Sequence, residues 1–192
     1  MRTGDVDILI VPGRSNAGSD HWQSRWERNL KTARRIEPDD WNAPDKDRWV
    51  GRVLEAVATS ARAVVLVGHS LGVATIVHAA RKLPRGSVAG AFLVAPADVD
   101  NMDAWPRDDN ESLAAAIRRF GPVPLAPLAF PSRLIASSSD PYCSPDRAEQ
   151  LGAAWGSHVS VIANAGHIDD QSGHGPWPEG LLTFGVFLRQ LG

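Results

Sequence analysis

The sequence has very little cysteine and no long uninterrupted run of apolar residues. Its only cysteine, Cys143, has no partner within the chain, which excludes small secreted proteins held together by internal disulfides. The longest apolar run near the start, residues 8–11, is far shorter than the roughly 20 residues that a membrane-spanning helix needs. The first residues also lack the charged and apolar regions of a signal peptide. We therefore expect a cytoplasmic protein that does not interact with membranes.

No charge of one sign dominates the chain. Its 20 Lys and Arg residues against 22 Asp and Glu residues give a formal net charge of −2, and basic residues occur only in short pairs such as Arg34 and Arg35. A nucleic-acid-binding surface needs a basic stripe, so no nucleic acid partner is predicted. Hydrophobic residues make up 43% and charged residues 22%, as in soluble globular proteins. With 192 residues, the chain is expected to form a single domain over residues 1–192.

Apolar runs typical of β-strands alternate along the chain with segments of helical periodicity. Strands are predicted over residues 7–11, 33–37, 64–68, 88–94, 132–137 and 158–162. Helices are predicted over residues 20–31, 45–60, 70–82, 145–154 and 178–191, with a short one at 111–120. This alternation is typical of a mostly parallel sheet of about six strands with crossover helices on both faces. The predicted fold class is therefore α/β, with three layers in the order helix, sheet, helix.

The connection over residues 95–131 is rich in proline and too long for a simple loop. Connections of that length inside a domain are uncommon unless they are functional. We expect this segment to form a small lid over a substrate site, since it is too short for a large cap domain.

The motif with the clearest chemistry is Gly68-His69-Ser70-Leu71-Gly72, which lies between an apolar strand and a helix. A nucleophile on a sharp strand-to-helix turn needs small residues two positions before and after it, because the backbone crowds both positions. Gly68 and Gly72 meet that need. The bare G-x-S-x-G string occurs often by chance, so the flanking strand and helix carry the interpretation. Ser70 is the predicted nucleophile.

A serine hydroxyl is a weak nucleophile at neutral pH and needs a histidine base that is oriented by a carboxylate. In enzymes with this turn, the acid and then the histidine follow the serine along the chain, each on a loop after a later strand. Asp140 follows the fifth predicted strand and His167 follows the sixth. The sequence therefore predicts a catalytic triad of Ser70, Asp140 and His167.

Other residues compete for the acid and for the histidine. Asp98, Asp100 and Asp103 follow the fourth predicted strand and are alternatives for the acid. His69 should point away from the nucleophile and His78 lies well inside the following helix, so both are expected to be structural.

The loop after the sixth predicted strand contains candidates for a different catalytic base and for a metal site. His174 is an alternative base, and with His167, Asp169 and Asp170 it could form a metal site, although the spacing matches no familiar set of ligands. Cys143 has no adjacent base and is expected to be a small buried residue. We expect neither a metal nor another cofactor.

A tetrahedral intermediate carries an oxyanion that needs two N–H donors. The residue after the nucleophile, Leu71, normally provides one of them. The second should come from the loop after the first strand, because the first and third strands are predicted neighbours where the winding reverses. Arg14 is our first choice for this donor and Ser15 the alternative. The same loop lacks the glycine pattern of nucleotide-binding loops.

Five segments spread over nearly the whole chain form a combination that is typical of one protein family. They are V-P-G-x-x-x-x-G-x-D-H-W-Q-S-R-W-E at 11–27, V-G-H-S-L-G at 67–72, V-A-P at 94–96, S-x-D-P-Y-C at 138–143 and A-G-H-I at 165–168. The chain resembles the small serine hydrolases grouped with retinoblastoma-binding protein 9 and the bacterial YdeN-type proteins. This resemblance implies a compact α/β-hydrolase fold without a large cap, and the triad Ser70, Asp140 and His167.

Two further residues are candidates for contact with substrate. His21 and Trp22 begin a predicted helix with Trp22 and Trp26 on one face, which favours core packing, while His21 is an alternative rim residue of the active site. Trp105 lies in the long connection and is expected to line the substrate pocket.

The sequence predicts a cofactor-free serine hydrolase that cleaves a small ester, thioester or amide through an acyl-enzyme. The alternative is a catalytically weak or inactive protein of the same fold that binds a protein partner, because a fold does not guarantee an activity.

Overall fold

The computed structural model describes residues 1–106 and 110–192. Within these residues the strands are β1 Val6–Val11, β2 Ala33–Arg35, β3 Ala63–Ser70, β4 Val88–Pro96, β5 Ser132–Ser137 and β6 His158–Ile162. The α-helices are α1 Trp22–Asn29, α2 Lys46–Ala58, α3 Leu71–Ala80, α4 Glu111–Arg118, α5 Pro145–Trp155 and α6 Pro178–Gln190. Short 3-10 helices lie at Thr3–Asp5 and Met102–Ala104. None of the helices in the described part of the chain is long and apolar enough to cross a membrane.

All six strands form one sheet in the order β2-β1-β3-β4-β5-β6, and every neighbouring pair is parallel. The chain winds from β1 to one edge, then returns past β1 and winds to the other edge. This reversal brings the end of β1 beside the end of β3, where Val11 lies opposite Gly68. Ligands of open α/β sheets bind in the crevice at such a reversal. The predicted α/β class and parallel sheet are confirmed.

Two apolar clusters lie on the two faces of the sheet. One contains the buried side chains of α2, α3, α4 and α5, and the other those of α1 and α6. Consecutive residues of β3, such as Leu66 and Val67, belong to opposite clusters, which is why the central strands are nearly all apolar. The predicted three layers are therefore confirmed.

Several element ends differ from the predicted ones by one or two residues, whereas α5 begins at Pro145 as predicted. Asp45 and Ser144 lie just before α2 and α5, and each accepts a hydrogen bond from a backbone N–H of the first turn. His21 caps α1 in the same way. β3 and β4 run further than predicted, since their pairing continues to Ser70 and Pro96.

The long connection over residues 95–131 contains the second 3-10 helix and α4. Leu113 and Ile117 of α4 are buried in the larger apolar cluster, so this helix is anchored to the sheet layer. Residues 107–109 of the predicted lid lie outside the described residues, and its role as a lid stays a prediction.

Asp7 is a buried carboxylate that ties β1 to the turn before β3. It accepts hydrogen bonds from the backbone N–H groups of Ala61 at 3.0 Å and Arg62 at 3.1 Å, and from the Arg62 guanidinium at 2.9 Å. Burial by itself raises the pKa of Asp7, but these hydrogen bonds and the Arg62 charge outweigh it and leave the pKa below its ordinary value. The ionised carboxylate therefore stabilises the fold.

We expect Asp7→Asn to lower the free energy of unfolding at neutral pH by about 1–3 kcal/mol, because hydrogen bonds to a charged group are lost. The pKa of Asp7 is lowered from 3.8 in the folded chain, so its contribution is present above pH 3.8 and is lost as the pH falls below it. Urea denaturation of both proteins at neutral pH and in acid measures the difference. A difference that stays constant in acid would contradict this assignment.

Candidate active site

The turn between β3 and α3 is strained and tightly packed. Ser70 has φ 55° and ψ −125°, a backbone conformation that residues other than glycine rarely adopt. A Cβ atom at Gly72 would lie 2.1 Å from the carbonyl oxygen of Val11, and one at Gly68 would lie 2.6 Å from Ile76 Cδ1. The start of α3 therefore packs directly on the backbone of β1, which explains the glycine at position 72, while the glycine at position 68 makes room for Ile76 of α3.

Two segments of backbone lie beside the predicted nucleophile. Leu71 is the first residue of α3, so its N–H has no carbonyl partner within the helix. The loop after β1 approaches from the other side, because a Cβ atom at Gly13 would lie 2.8 Å from Cβ of the serine. Arg14 lines the same cavity as the serine, whereas the backbone N–H of Ser15 donates to the carbonyl of Trp41 at 3.2 Å.

Asp140 and His167 are joined by a hydrogen bond. The two carboxylate oxygens lie 2.9 and 3.0 Å from His167 Nδ1, and both side chains are buried. A carboxylate only accepts, so the ring proton is on Nδ1 and Nε2 of the neutral ring is left as an acceptor. Among the described residues, no hydrogen bond joins Ser70 directly to His167, although both line one cavity.

The alternative acids are paired elsewhere. Asp98 and Asp100 both bind the guanidinium of Arg147, at 3.1 and 2.7 Å, and Asp103 pairs with Arg118 of α4 at 2.7 Å. These carboxylates neutralise arginines of neighbouring helices instead of orienting a histidine.

Two of the four alternative metal ligands, Asp169 and His174, contact Ser172. Ser172 donates its backbone N–H to the Asp169 carboxylate at 2.8 Å, and its hydroxyl lies 3.3 Å from His174 Nδ1. Within residues 1–106 and 110–192, no group of three or more His, Cys, Asp or Glu side chains is arranged to hold a metal ion. Among the described residues, Asp170 and His167 therefore do not form a metal site with Asp169 and His174.

Three consecutive serines tie the loop of the acid to the loop of the histidine. Their hydroxyls accept backbone N–H groups from three consecutive residues, at 2.9–3.1 Å: Ser137 from Ala165, Ser138 from Asn164 and Ser139 from Gly166. These bonds fix the approach to His167 relative to Asp140. The sequence analysis missed this role, although the serine run directly before the acid was visible.

The backbone around His167 is strained and is held by two buried donors. Gly166 and Ile168 on either side have φ 57° and 51°, and a positive φ is a genuine outlier for a β-branched residue. Trp22 Nε1 donates to the carbonyl of Ile168, and His69 Nε2 donates to the carbonyl of His167, both at 2.9 Å. Burial lowers the pKa of His69 well below its ordinary value, so this ring stays neutral.

His21 belongs both to the core and to the cavity wall. Its Nδ1 accepts the backbone N–H of Gln23 at 3.1 Å, its ring packs against that of His69, and 4% of the residue is exposed. Desolvation lowers the pKa of His21 to about 4, opposed in part by the charges of Asp170 and Asp169. His21 is therefore neutral at physiological pH.

One cavity of about 390 Å³ collects the predicted site residues. Its lining includes Ser70, Leu71, His167, Arg14, Ser15, His21 and Trp105. Asp140 lies behind His167 and reaches the cavity only through it.

Two neighbours of Asp140 have contrasting environments. Tyr142 was not singled out from the sequence, yet its ring packs 4.6 Å from that of His167 and 5.2 Å from that of Trp105. Cys143 is buried, and burial raises its pKa to about 12, so it remains an unreactive thiol as expected.

Comparisons with known proteins identify the family and the fold. A family model described as serine hydrolase matches residues 8–185. A solved YdeN-like protein from Pectobacterium atrosepticum is 31% identical with a TM-score of 0.83, and the match covers 98% of this chain and 94% of that one. No curated protein matches the sequence. The resemblance to the YdeN-type proteins is thus confirmed.

More distant structures share the fold. The ydeN gene product of B. subtilis is 17% identical with a TM-score of 0.70, over 96% of this chain and 97% of that one. A thermophilic esterase from Thermogutta terrifontis is 17% identical with a TM-score of 0.66, over 100% of this chain and 92% of that one.

We expect Gly72→Ala to lower the free energy of unfolding by about 1–3 kcal/mol, because the new methyl group would overlap the carbonyl of Val11 and force the backbone apart. Gly185→Ala in α6 is the matched control. A Cβ atom there meets nothing within 4 Å, so alanine should be neutral or stabilise by up to about 1 kcal/mol. Urea denaturation measures both variants. Equal stability of the two would contradict the close packing of α3 on β1.

Proposed function

This chain belongs to the serine hydrolase family, as predicted, and from that premise we propose that Ser70, His167 and Asp140 form its catalytic triad. The observation that carries the proposal is the buried Asp140–His167 hydrogen bond in the wall of the cavity that contains the strained Ser70. The proposed reaction is hydrolysis of a small ester, thioester or amide through an acyl-enzyme.

In the proposed mechanism, Nε2 of His167 takes the proton of the Ser70 hydroxyl as its oxygen attacks the substrate carbonyl. The N–H groups of Leu71 and Arg14 hold the resulting oxyanion. Asp140 stabilises the imidazolium, which then protonates the leaving group. Water repeats the sequence on the acyl-enzyme and releases the acid.

We propose Arg14 rather than Ser15 as the second oxyanion donor. The support is that the N–H of Ser15 already donates to Trp41, while the backbone around Gly13 lies against the nucleophile.

The dimensions of the cavity support a small-molecule substrate. Its volume of about 390 Å³ lies at the lower end of the range for small-molecule sites. The esterase from Thermogutta terrifontis shares the fold, and ester hydrolysis is accordingly our first choice among the three bond types.

We expect a fluorophosphonate probe to form one covalent adduct on wild-type protein and none on Ser70→Ala. An activated serine attacks the phosphorus, whereas the variant has no nucleophile at that position. The same variant should lose roughly three or more orders of magnitude in turnover of p-nitrophenyl acetate, because the triad acts as a unit. Intact-mass analysis and peptide mapping identify the modified residue.

Circular dichroism and a melting curve of Ser70→Ala provide the control for folding. An adduct on another residue, or esterase activity that survives in the variant, would rule out Ser70 as nucleophile. A folded wild-type protein that forms no adduct would instead support the alternative of an inactive fold that binds a protein partner.

We also expect His69 to act as a positioning residue through the carbonyl of His167. His69→Leu removes the donor and should lower kcat by about tenfold to a hundredfold with little change in KM, since small displacements of a catalytic base are costly. His69→Gln keeps an N–H donor and should recover part of the loss. Equal kcat values for the two folded variants would contradict this role.

A further inference from the structure

A second cavity of about 400 Å³ opens beside the active-site cavity. The two share four wall residues: Arg14, Trp105, Ile117 and Tyr142. The outer walls of the second cavity come from the 3-10 helix Met102–Ala104 and from α4. It is therefore lined mostly by the segment over residues 95–131 and adjoins the site of the proposed chemistry.

Aromatic rings lie in the wall that the two cavities share. The ring of Tyr142 packs edge-on against that of His167, with centroids 4.6 Å apart, and against that of Trp105, with centroids 5.2 Å apart. Because Tyr142 and Trp105 line both cavities, a group attached to the reacting carbonyl can follow these two rings outward. Trp105, Tyr142 and Ile117 give the shared wall surface that suits an apolar group, and Arg14 adds one charged group.

The second cavity is lined by both apolar and charged residues, and the formal charges of the latter sum to zero. Met102, Pro106 and Ala114 add apolar surface to that of Trp105 and Ile117. Its charged residues are two acids and two arginines, Asp103, Glu111, Arg14 and Arg118. Asp103 and Arg118 bind each other at 2.7 Å. A charged substituent would therefore meet no net opposite charge, while an apolar one would leave water.

We propose that this second cavity is a subsite for an uncharged, apolar arm of the substrate, so that the enzyme prefers esters with a medium-length alkyl arm to short ones. The proposal rests on the proposed function, since it extends the same active site. The arm is part of either the acyl group or the alcohol group of the ester. The substrates in the test distinguish these two positions.

The experiment compares a variant that fills the cavity with one that does not. Ala114→Trp places a large side chain in the second cavity, and Ala115→Trp places the same side chain on the exposed face of the same helix. The ratio of kcat/KM for p-nitrophenyl octanoate to that for p-nitrophenyl acetate tests an acyl arm. The ratio for octyl acetate to ethyl acetate, followed by acid release, tests an alcohol arm.

In the wild type, at least one of the two ratios should exceed unity. Ala114→Trp should lower that ratio about tenfold, the effect expected when a few methylene groups are kept in water, and Ala115→Trp should leave it unchanged. If both ratios are unaffected by Ala114→Trp, or if both variants lower them equally, the subsite is overturned.

A binding measurement separates failure of the subsite from failure of the proposed function. Octanamide is uncharged, and its binding to both variants in a Ser70→Ala background is measured by calorimetry without turnover. Weaker binding to Ala114→Trp than to Ala115→Trp would support the subsite even if no ester is cleaved, in which case only the proposed function fails. Equal binding to both variants, together with unchanged ratios, would overturn the subsite and leave the triad unaffected.

Discussion

The candidate site depends on the direct packing of α3 on the backbone at the end of β1. The carbonyl of Val11 leaves no room for a side chain at position 72, so the chain has to turn sharply at Ser70. That turn places the first N–H of the helix beside the loop that begins at Gly13. Since β1 and β3 are neighbours only because the winding reverses between them, the sheet order and the site have the same origin.

Hydrogen bonds between uncharged groups hold the loops of Asp140 and His167 in place. Hydroxyls of the serine run accept amides of the histidine loop, and buried indole and imidazole N–H groups bind its carbonyls. The strain at Ile168 is balanced by these contacts, as expected where a structure over-determines an unfavourable backbone. Such bonds do not depend on ionisation, so the frame around His167 should be less sensitive to pH and salt than one built from ion pairs.

The sheet, its layers and the candidate triad residues could be predicted because they follow from local patterns and chain order. Apolar runs mark buried strands, and a glycine-flanked serine between a strand and a helix marks the turn. The ties from Ser137–Ser139 to the histidine loop could not be predicted, because they join residues distant in sequence and leave no periodicity. The contacts of His69 and Tyr142 with His167 likewise depend on the separation of the loops in three dimensions.

The buried Cys143 makes this chain unusually simple to label. It is the only cysteine in the sequence, and its high pKa leaves almost no thiolate at neutral pH to react with maleimides or mild oxidants. A cysteine introduced on the exposed face of α6, for instance at Leu182, which is 71% exposed, would be the single reactive thiol. Fluorescent or spin labels could therefore be attached without first removing a native cysteine.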